Sequence, residues 1–403
     1  MTQAKWKHVT GLSTSVIVLL GTAEVVMMIS PFAGFFYSAF RPALNFIAEH
    51  RATAWLDGFF LNHALITTSP ILEGQRLVGK YIFAIGMWGF LVGFLQIYGA
   101  KVLRRPGVMR WGLYWFVRHP QYLCLIVAGW GLLTIWPRFL LLGLYVTMIF
   151  LYVLLARLEE SRLEEKYPED YQAFRKWKGG LLPGSPGEKL YSLTFGRISS
   201  RPLGFILCYL FCLSVAFGAA FGVRGYLKAS TSWSVLPEQK TVALSVWPRP
   251  VFDIKSIMSR VLAVPEVQLR MDADGGPHFV AHILPDDYGM VGMYAVMPGK
   301  DSKRTFGEEL QRMWRLAGHF LIPRPPGPTG FALMGRPIDS LKVVISNCRK
   351  AYNPFMTLEE CLDPGVKLQP VIIVKLHATG EDEPTWQVPL RRNRWGDIAM
   401  PIF

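Results

Sequence analysis

The 403-residue sequence predicts an α-helical polytopic membrane protein, with about five transmembrane helices, ending in a soluble α+β domain. Two observations carry that reading. Long apolar runs are concentrated before Val223, whereas the rest mixes helical and strand periods. Charge divides at the same place: 21 Lys+Arg stand against 11 Asp+Glu before Arg224, and 22 against 18 from Arg224 onward. The first part's basic excess lies in loops beside apolar runs, the pattern of the positive-inside rule. A nucleic-acid-binding chain would need a basic stripe on a soluble face, and none is present. The expected division is a transmembrane unit over 1–222, with its core at 81–183, and a soluble, extracytoplasmic unit over 223–403.

The elements follow in order. Val9–Ile29 is a long apolar run behind Lys5 and Lys7, with no A-x-A site after it, and predicts an uncleaved first span. Its Glu24 would cost about 2.5–3.5 kcal/mol at membrane depth, so it faces a protein interior or the interface. Ala54–Leu72 is apolar but carries Asp57, Asn62, His63, Thr67, Thr68 and Ser69. Tyr81–Gly99 is long enough to cross the hydrocarbon core. A basic loop follows with Lys101, Arg104, Arg105, Arg110 and Arg118. Gln121–Trp136 and Phe139–Leu155 then form a hairpin about Trp136-Pro137-Arg138. The chain returns to a second basic stretch with Arg157, Arg162, Lys166, Arg175, Lys176 and Lys178. Both basic stretches belong on the cytoplasmic side. Gly179-Gly180 and Pro183–Gly187 read as a flexible linker. Pro202–Val223 is a last span that sends the tail outward. With the N-terminus inside, Ala54–Leu72 stays re-entrant or interfacial and the spans number five; with it outside, six. The expected location is a bacterial inner (cell) membrane.

In the tail, Thr241–Trp247, Val267–Met271, His278–Leu284, Met290–Met297, Leu341–Ser346 and Val371–His377 read as strands. Phe252–Leu262 and Phe306–Phe320 read as helices, and Pro323–Pro328 as an extended loop. His278, His282, Asp286 and Asp287 lie close in sequence, but a strand separates the two histidines along one face, so no metal is expected there. Of five cysteines, Cys124, Cys208 and Cys212 fall in apolar segments and act as small hydrophobes. Cys348 and Cys361 pair if the tail occupies an oxidising compartment, and otherwise are buried thiols.

The chemistry is concentrated at the hairpin's mouth. Pro120 suits the first turn of a helix, whose N-terminus offers N–H groups and a positive dipole end to an anion. Arg118 supplies a fork for a carboxylate, and His119 can donate or accept. Tyr114, Trp115, Phe116 and Tyr122 offer ring faces that stack an adenine or hold a sulfonium. Across the hairpin, Glu159 and Glu160 follow an apolar helix, and one of the two must turn toward the bundle. A carboxylate there can bond ribose hydroxyls or balance a sulfonium. Taken singly, each feature has a plainer explanation: a headgroup anchor, a solvated helix end, an aromatic belt. Their joint arrangement on one hairpin argues against it.

Gly112-x-Tyr114, Arg118-His119-Pro120-Gln121-Tyr122, the Trp-Pro-Arg turn, Arg157-x-Glu159-Glu160-x-x-Leu163 and Glu169-x-Tyr171 together resemble the isoprenylcysteine carboxyl methyltransferase family, itself similar to membrane phospholipid methyltransferases. The resemblance covers about Tyr81 to Pro183. It implies a membrane-embedded enzyme that uses S-adenosylmethionine without a Rossmann fold. By resemblance, His119, Pro120, Gln121 and Tyr122 would line the cofactor pocket with Tyr114 upstream, and Glu159 would take the family's acidic position with Glu160 beside it; Arg118, with its carboxylate-binding fork, completes the expected cofactor-binding set. Arg157 would lie near the family's substrate-side arginine, as the catalytic candidate, although the register does not match fully. Cys124 stands where the family has glycine, and Tyr167-Pro168 where it often has Phe-Gly. The expected substrate is a lipid-like or hydrophobic small molecule. The competing expectation is a non-catalytic membrane scaffold whose outward tail binds a partner.

Overall fold

The computed structural model describes residues 46–61 (48 aside), 67–103, 108–286, 322, 340–349, 356–377 (365 aside) and 383–388. The expected span Val9–Ile29, the strand Met290–Met297, the helix Phe306–Phe320, the Pro-rich loop and Asp287 lie outside the described residues.

Among the described residues, three helices are long and apolar enough to cross a membrane: α1 (Pro70–Val102), α3 (Phe139–Lys166) and α6 (Arg201–Ala229). The shorter apolar helix α2 (Pro120–Ile135) forms the expected hairpin with α3. Its 16 residues reach about 24 Å at the usual helical rise. Helices α4 (Pro168–Trp177) and α5 (Pro186–Leu193) lie between α3 and α6. Proline opens α2, α4, α5 and α6 at the first or second position, where its missing N–H breaks no helical bond.

Helices α1 and α2 pack backbone to backbone. A Cβ at Gly86 would stand 2.4 Å from Ala128 N, and one at Gly131 would stand 2.3 Å from Phe83 N. Gly89 meets the Cys124 sulfur and Gly93 meets the Gln121 side chain, so the two helices run antiparallel. Small residues allow this approach, which in a membrane replaces hydrophobic driving force with close dispersion contact. Tyr145 donates to Ile126 O at 2.9 Å and fastens α3 to α2, while Thr147 and Tyr209 hydroxyls meet at 3.0 Å between α3 and α6.

The far end of this bundle carries the hairpin turn. Arg138 Nη1 pairs with Asp57 Oδ1 at 2.7 Å, and Phe60 N donates to Pro137 O at 2.9 Å. The described part of Ala54–Leu72 is therefore not a spanning helix. It is a 3-10 turn (Ala54–Asp57), a bridge between Phe59 and Arg138, and the start of α1.

The tail follows α6 directly. Among the described residues, its strands are β1 (Trp233–Leu236), β2 (Thr241–Ser245), β3 (Phe279–Pro285), β4 (Ser340–Arg349), β5 (Lys367–His377) and β6 (Thr385–Gln387), ordered 1-2-3-4-5-6 across one sheet. Of these strands only β2 and β3 pair in parallel, joined through α7 (Val251–Leu262) and α8 (Pro265–Asp274). Helix α8 corrects the strand expected at Val267–Met271. The apolar alternation Val267, Leu269, Met271 is misleading: Val267 and Met271, four apart, are buried, whereas Leu269 is exposed. Pro265 starts the helix and Gly275 ends it in the left-handed conformation. On β3, His282 is buried with neither ring nitrogen bonded, and burial lowers its pKa to about 3.

The tail sits at the far end. Buried Arg224 of α6 donates to Phe59 O, and to Leu362 O at 2.6 Å. Leu362 follows Cys361, which is disulfide-bonded to Cys348. Thr68 and Ser69, ahead of α1, bond Ser230 O and the Tyr226 hydroxyl at the end of α6.

Gly86→Leu should force α1 and α2 apart. Overpacking of this kind costs about 1–3 kcal/mol or more. The melting temperature in detergent should fall by several degrees. Gly74→Leu, on the same helix with nothing within 4 Å of its Cβ position, should leave it unchanged.

Candidate functional site

The near end of the bundle gathers the motif residues. Gly112 opens a 3-10 turn (Gly112–Trp115) at φ +66, where a Cβ would lie 2.0 Å from Gln96 Nε2. That glycine lets the turn press onto α1, with Leu113 N donating to Gln96 Oε1 at 3.3 Å, and it buries Tyr114. Burial, then the Glu159 charge, push the Tyr114 phenol well above its ordinary range.

Arg118 and His119 lie at the mouth of α2, both buried. Arg118 Nη1 meets Glu160 Oε1 at 3.0 Å and donates to the Tyr171 hydroxyl at 3.4 Å; Nη2 meets Glu188 Oε1 at 3.4 Å. Its buried Nε has no hydrogen-bond partner. His119 Nε2 lies 3.0 Å from Glu160 Oε1, and Nδ1 lies 3.5 Å from Glu159 Oε2. Both ring nitrogens thus face carboxylates, the arrangement of an imidazolium donor. Burial alone would lower the His119 pKa, but the bonds and charges of Glu159 and Glu160 overcome it and raise the value above the ordinary one.

The two glutamates divide their roles. Glu160 turns inward with 15% of its side chain exposed, and Glu159 keeps 49% exposed. The Tyr122 hydroxyl donates to Glu159 Oε1 at 2.5 Å. The Tyr122 ring stacks between His119, 5.7 Å away, and Tyr152, 5.1 Å away, at interplanar angles of 15° and 11°. The result is an aromatic wall ending in a half-exposed carboxylate.

The structure brings together Tyr114, Arg118, His119, Tyr122, Glu159 and Glu160. Pro120 starts α2 and is buried. Gln121 turns toward Gly93 of α1, on the helix-packing side. Arg157 is exposed on another side of α3, its guanidinium 6.0 Å from the Tyr191 ring and 5.5 Å from that of Phe205. Cys124 lies against Gly89, so its departure from the family pattern falls on the α1–α2 contact.

Sequence reasoning missed the strap over this mouth. Residues 179–187 are not a slack linker. Val117 bridges Gly179, and the N–H groups of Arg118 and His119 donate to Gly179 O and Gly180 O at 2.9–3.2 Å. Gly180 N donates to Ser185 Oγ at 3.0 Å. A Cβ at Gly179 would lie 2.0 Å from Leu182 O, so the glycine permits the fold-back. The strap thus takes up the N–H groups of Arg118 and His119, the two residues ahead of α2. Tyr152 and Glu188 were missed too. Tyr171 belongs to the quoted motif, and burial, then Glu160, push its phenol up to about 12. Among the described residues, no three His, Cys, Asp or Glu side chains are disposed to hold a metal ion.

The raised His119 pKa gives a test with a definite sign. Its contribution to stability is complete below about 6.5 and is lost as pH rises through the higher folded value. Histidine NMR titration should give His119 a pKa above 6.5 in the wild type. The double variant Glu159→Gln/Glu160→Gln should drop it below 6.5, because burial then acts unopposed. An unchanged value would dissociate His119 from the carboxylates.

Comparison of the chain with protein-family models, curated proteins and solved structures finds no match to any of them, which leaves the side chains themselves as the ground for a function.

Proposed function

We propose that the chain is a membrane-embedded, S-adenosylmethionine-dependent methyltransferase acting on a lipid-soluble carboxylate or amine. One observation carries the reading. The Arg-His-Pro-Gln-Tyr start of α2 and the Glu-Glu end of α3, far apart in sequence, meet within hydrogen-bond distance at one mouth.

The residues suit this cofactor's groups. The half-exposed Glu159 carboxylate can bond ribose hydroxyls or balance a sulfonium, with the Tyr122 hydroxyl bonded beside it. S-adenosylmethionine, when bound, supplies a methyl group already activated on sulfur. The protein's part is then mainly to hold the acceptor in line, and proximity can contribute about 7–11 kcal/mol. The carboxylates facing both His119 ring nitrogens favour its charged, donating form. A carboxylate acceptor needs no base, whereas an amine must lose its proton first. Arg157, exposed beside Phe205 of α6, stands on the acceptor side in this reading.

Equilibrium dialysis of labelled S-adenosylmethionine against the folded protein in detergent should show saturable binding. His119→Ala and Glu159→Ala should each weaken it at least tenfold. No binding by the folded wild type would leave the scaffold reading in its place.

The same reading takes five spans, with the site cytoplasmic and the tail outside. Support comes from the basic stretches beside the site, from the far-end position of Arg224 and its tail partner Leu362, and from the Cys348–Cys361 bond, which fits an oxidising compartment. A reporter fused after Phe403 should be active only in its extracytoplasmic form; cytoplasmic-type activity would overturn this topology.

A further inference from the structure

Helix α5 presents two unlike faces. Glu188 turns toward the site and pairs with Arg118, whose other nitrogen holds Glu160. Gly180 makes room for that pair: a Cβ there would stand 3.0 Å from Glu188 Oε1 and 3.2 Å from Arg118 Nη2. Leu190 and Leu193 point elsewhere and are 65% and 60% exposed. Two leucines so exposed on eight residues have no partner within the described protein that would account for them.

Their surroundings identify what covers them. The Phe195–Arg197 turn folds the segment back along α6, with the Phe195 ring 5.6 Å from that of Phe211, and Tyr191 packs beside Gly204. Leu190 and Leu193 are therefore continuous with the first turns of a helix apolar enough to cross a membrane, whose own Leu203, Ile206 and Leu207 are exposed. The local charge is basic. Between Lys178 and Arg201 the only acidic residue is Glu188, already turned to Arg118, against Lys189 and Arg197 inside that interval. Exposed leucines among lysines and arginines at the level of a span fit an anionic bilayer surface, where apolar burial and charge attraction act together.

We propose that α5 is an interfacial helix: it seats Leu190 and Leu193 in an anionic phospholipid surface, and through Glu188 on its other face that seating holds Arg118, and with it the Glu160 carboxylate, in position. The second half rests on the methyltransferase reading; the first does not. Glu188 is a positioning residue here. A helix released from the membrane would pull it from Arg118 and leave the Arg118–His119–Glu160 group open to water.

The test uses the full chain in vesicles of phosphatidylcholine alone or with one third phosphatidylglycerol. Amide hydrogen exchange over Leu190–Leu193 should be at least tenfold slower in the anionic vesicles, and Leu190→Ser/Leu193→Ser should abolish the difference. Equal exchange in both lipids would overturn the seating. In the same vesicles, wild-type affinity for labelled S-adenosylmethionine should be several-fold higher with the anionic lipid. Glu188→Gln should remove that lipid dependence while keeping the exchange protection. Protection together with lipid-independent affinity would overturn the coupling. Protection with no cofactor binding at all would sink the methyltransferase reading and leave the interfacial helix standing.

Discussion

The structure of the site depends on one shared carboxylate. Glu160 lies between the Arg118 guanidinium and the His119 ring, about 3.0 Å from each. Two buried cationic groups without this anion would be costly, and removing one partner of such a set costs about 3–5 kcal/mol. The bond therefore fixes how the two helices of the hairpin meet. It draws the last turns of α3 onto the two residues that precede α2, and Glu159, the residue before Glu160, falls beside Tyr122. The exposed carboxylate owes its position to the buried one.

Holding that register takes work elsewhere. The glycine contacts of α1 and α2 leave little freedom for sliding, since any added Cβ at Gly86 or Gly131 would collide with the opposing backbone. The Tyr145–Ile126 bond fastens α3 to the same pair. At the far end, the Asp57–Arg138 pair closes the hairpin turn, and Arg224 ties α6 both to Phe59 and to the tail. The sheet domain is thus attached at the end opposite the site.

The sequence reveals the hairpin, its Trp-Pro-Arg turn and both walls of the site, because these rest on local signals: apolar length, a helix-starting proline, adjacent glutamates. Strands β2, β3, β4 and β5 are legible for the same reason. What the sequence hides is set by tertiary contact. Residues 179–187 have a linker's composition, yet their carbonyls cap the backbone of Arg118 and His119. The direction of Arg157 depends on Tyr191 and Phe205, on two other helices. Cys124 resembles a pocket residue from its position after the motif, but Gly89 on α1 receives it. Val267–Met271 alternates like a strand, but Leu269 is exposed between buried Val267 and Met271, as on a helix.

The central claim is that this mouth transfers a methyl group to a molecule drawn from the membrane. Methyl-labelled S-adenosylmethionine, incubated with the purified protein and a total membrane extract, tests it most directly. The account predicts label in an apolar, extractable product, abolished in His119→Ala/Glu159→Ala protein that still folds. Label that never leaves the cofactor with folded, cofactor-saturated wild type, or an undiminished product with that variant, would contradict it.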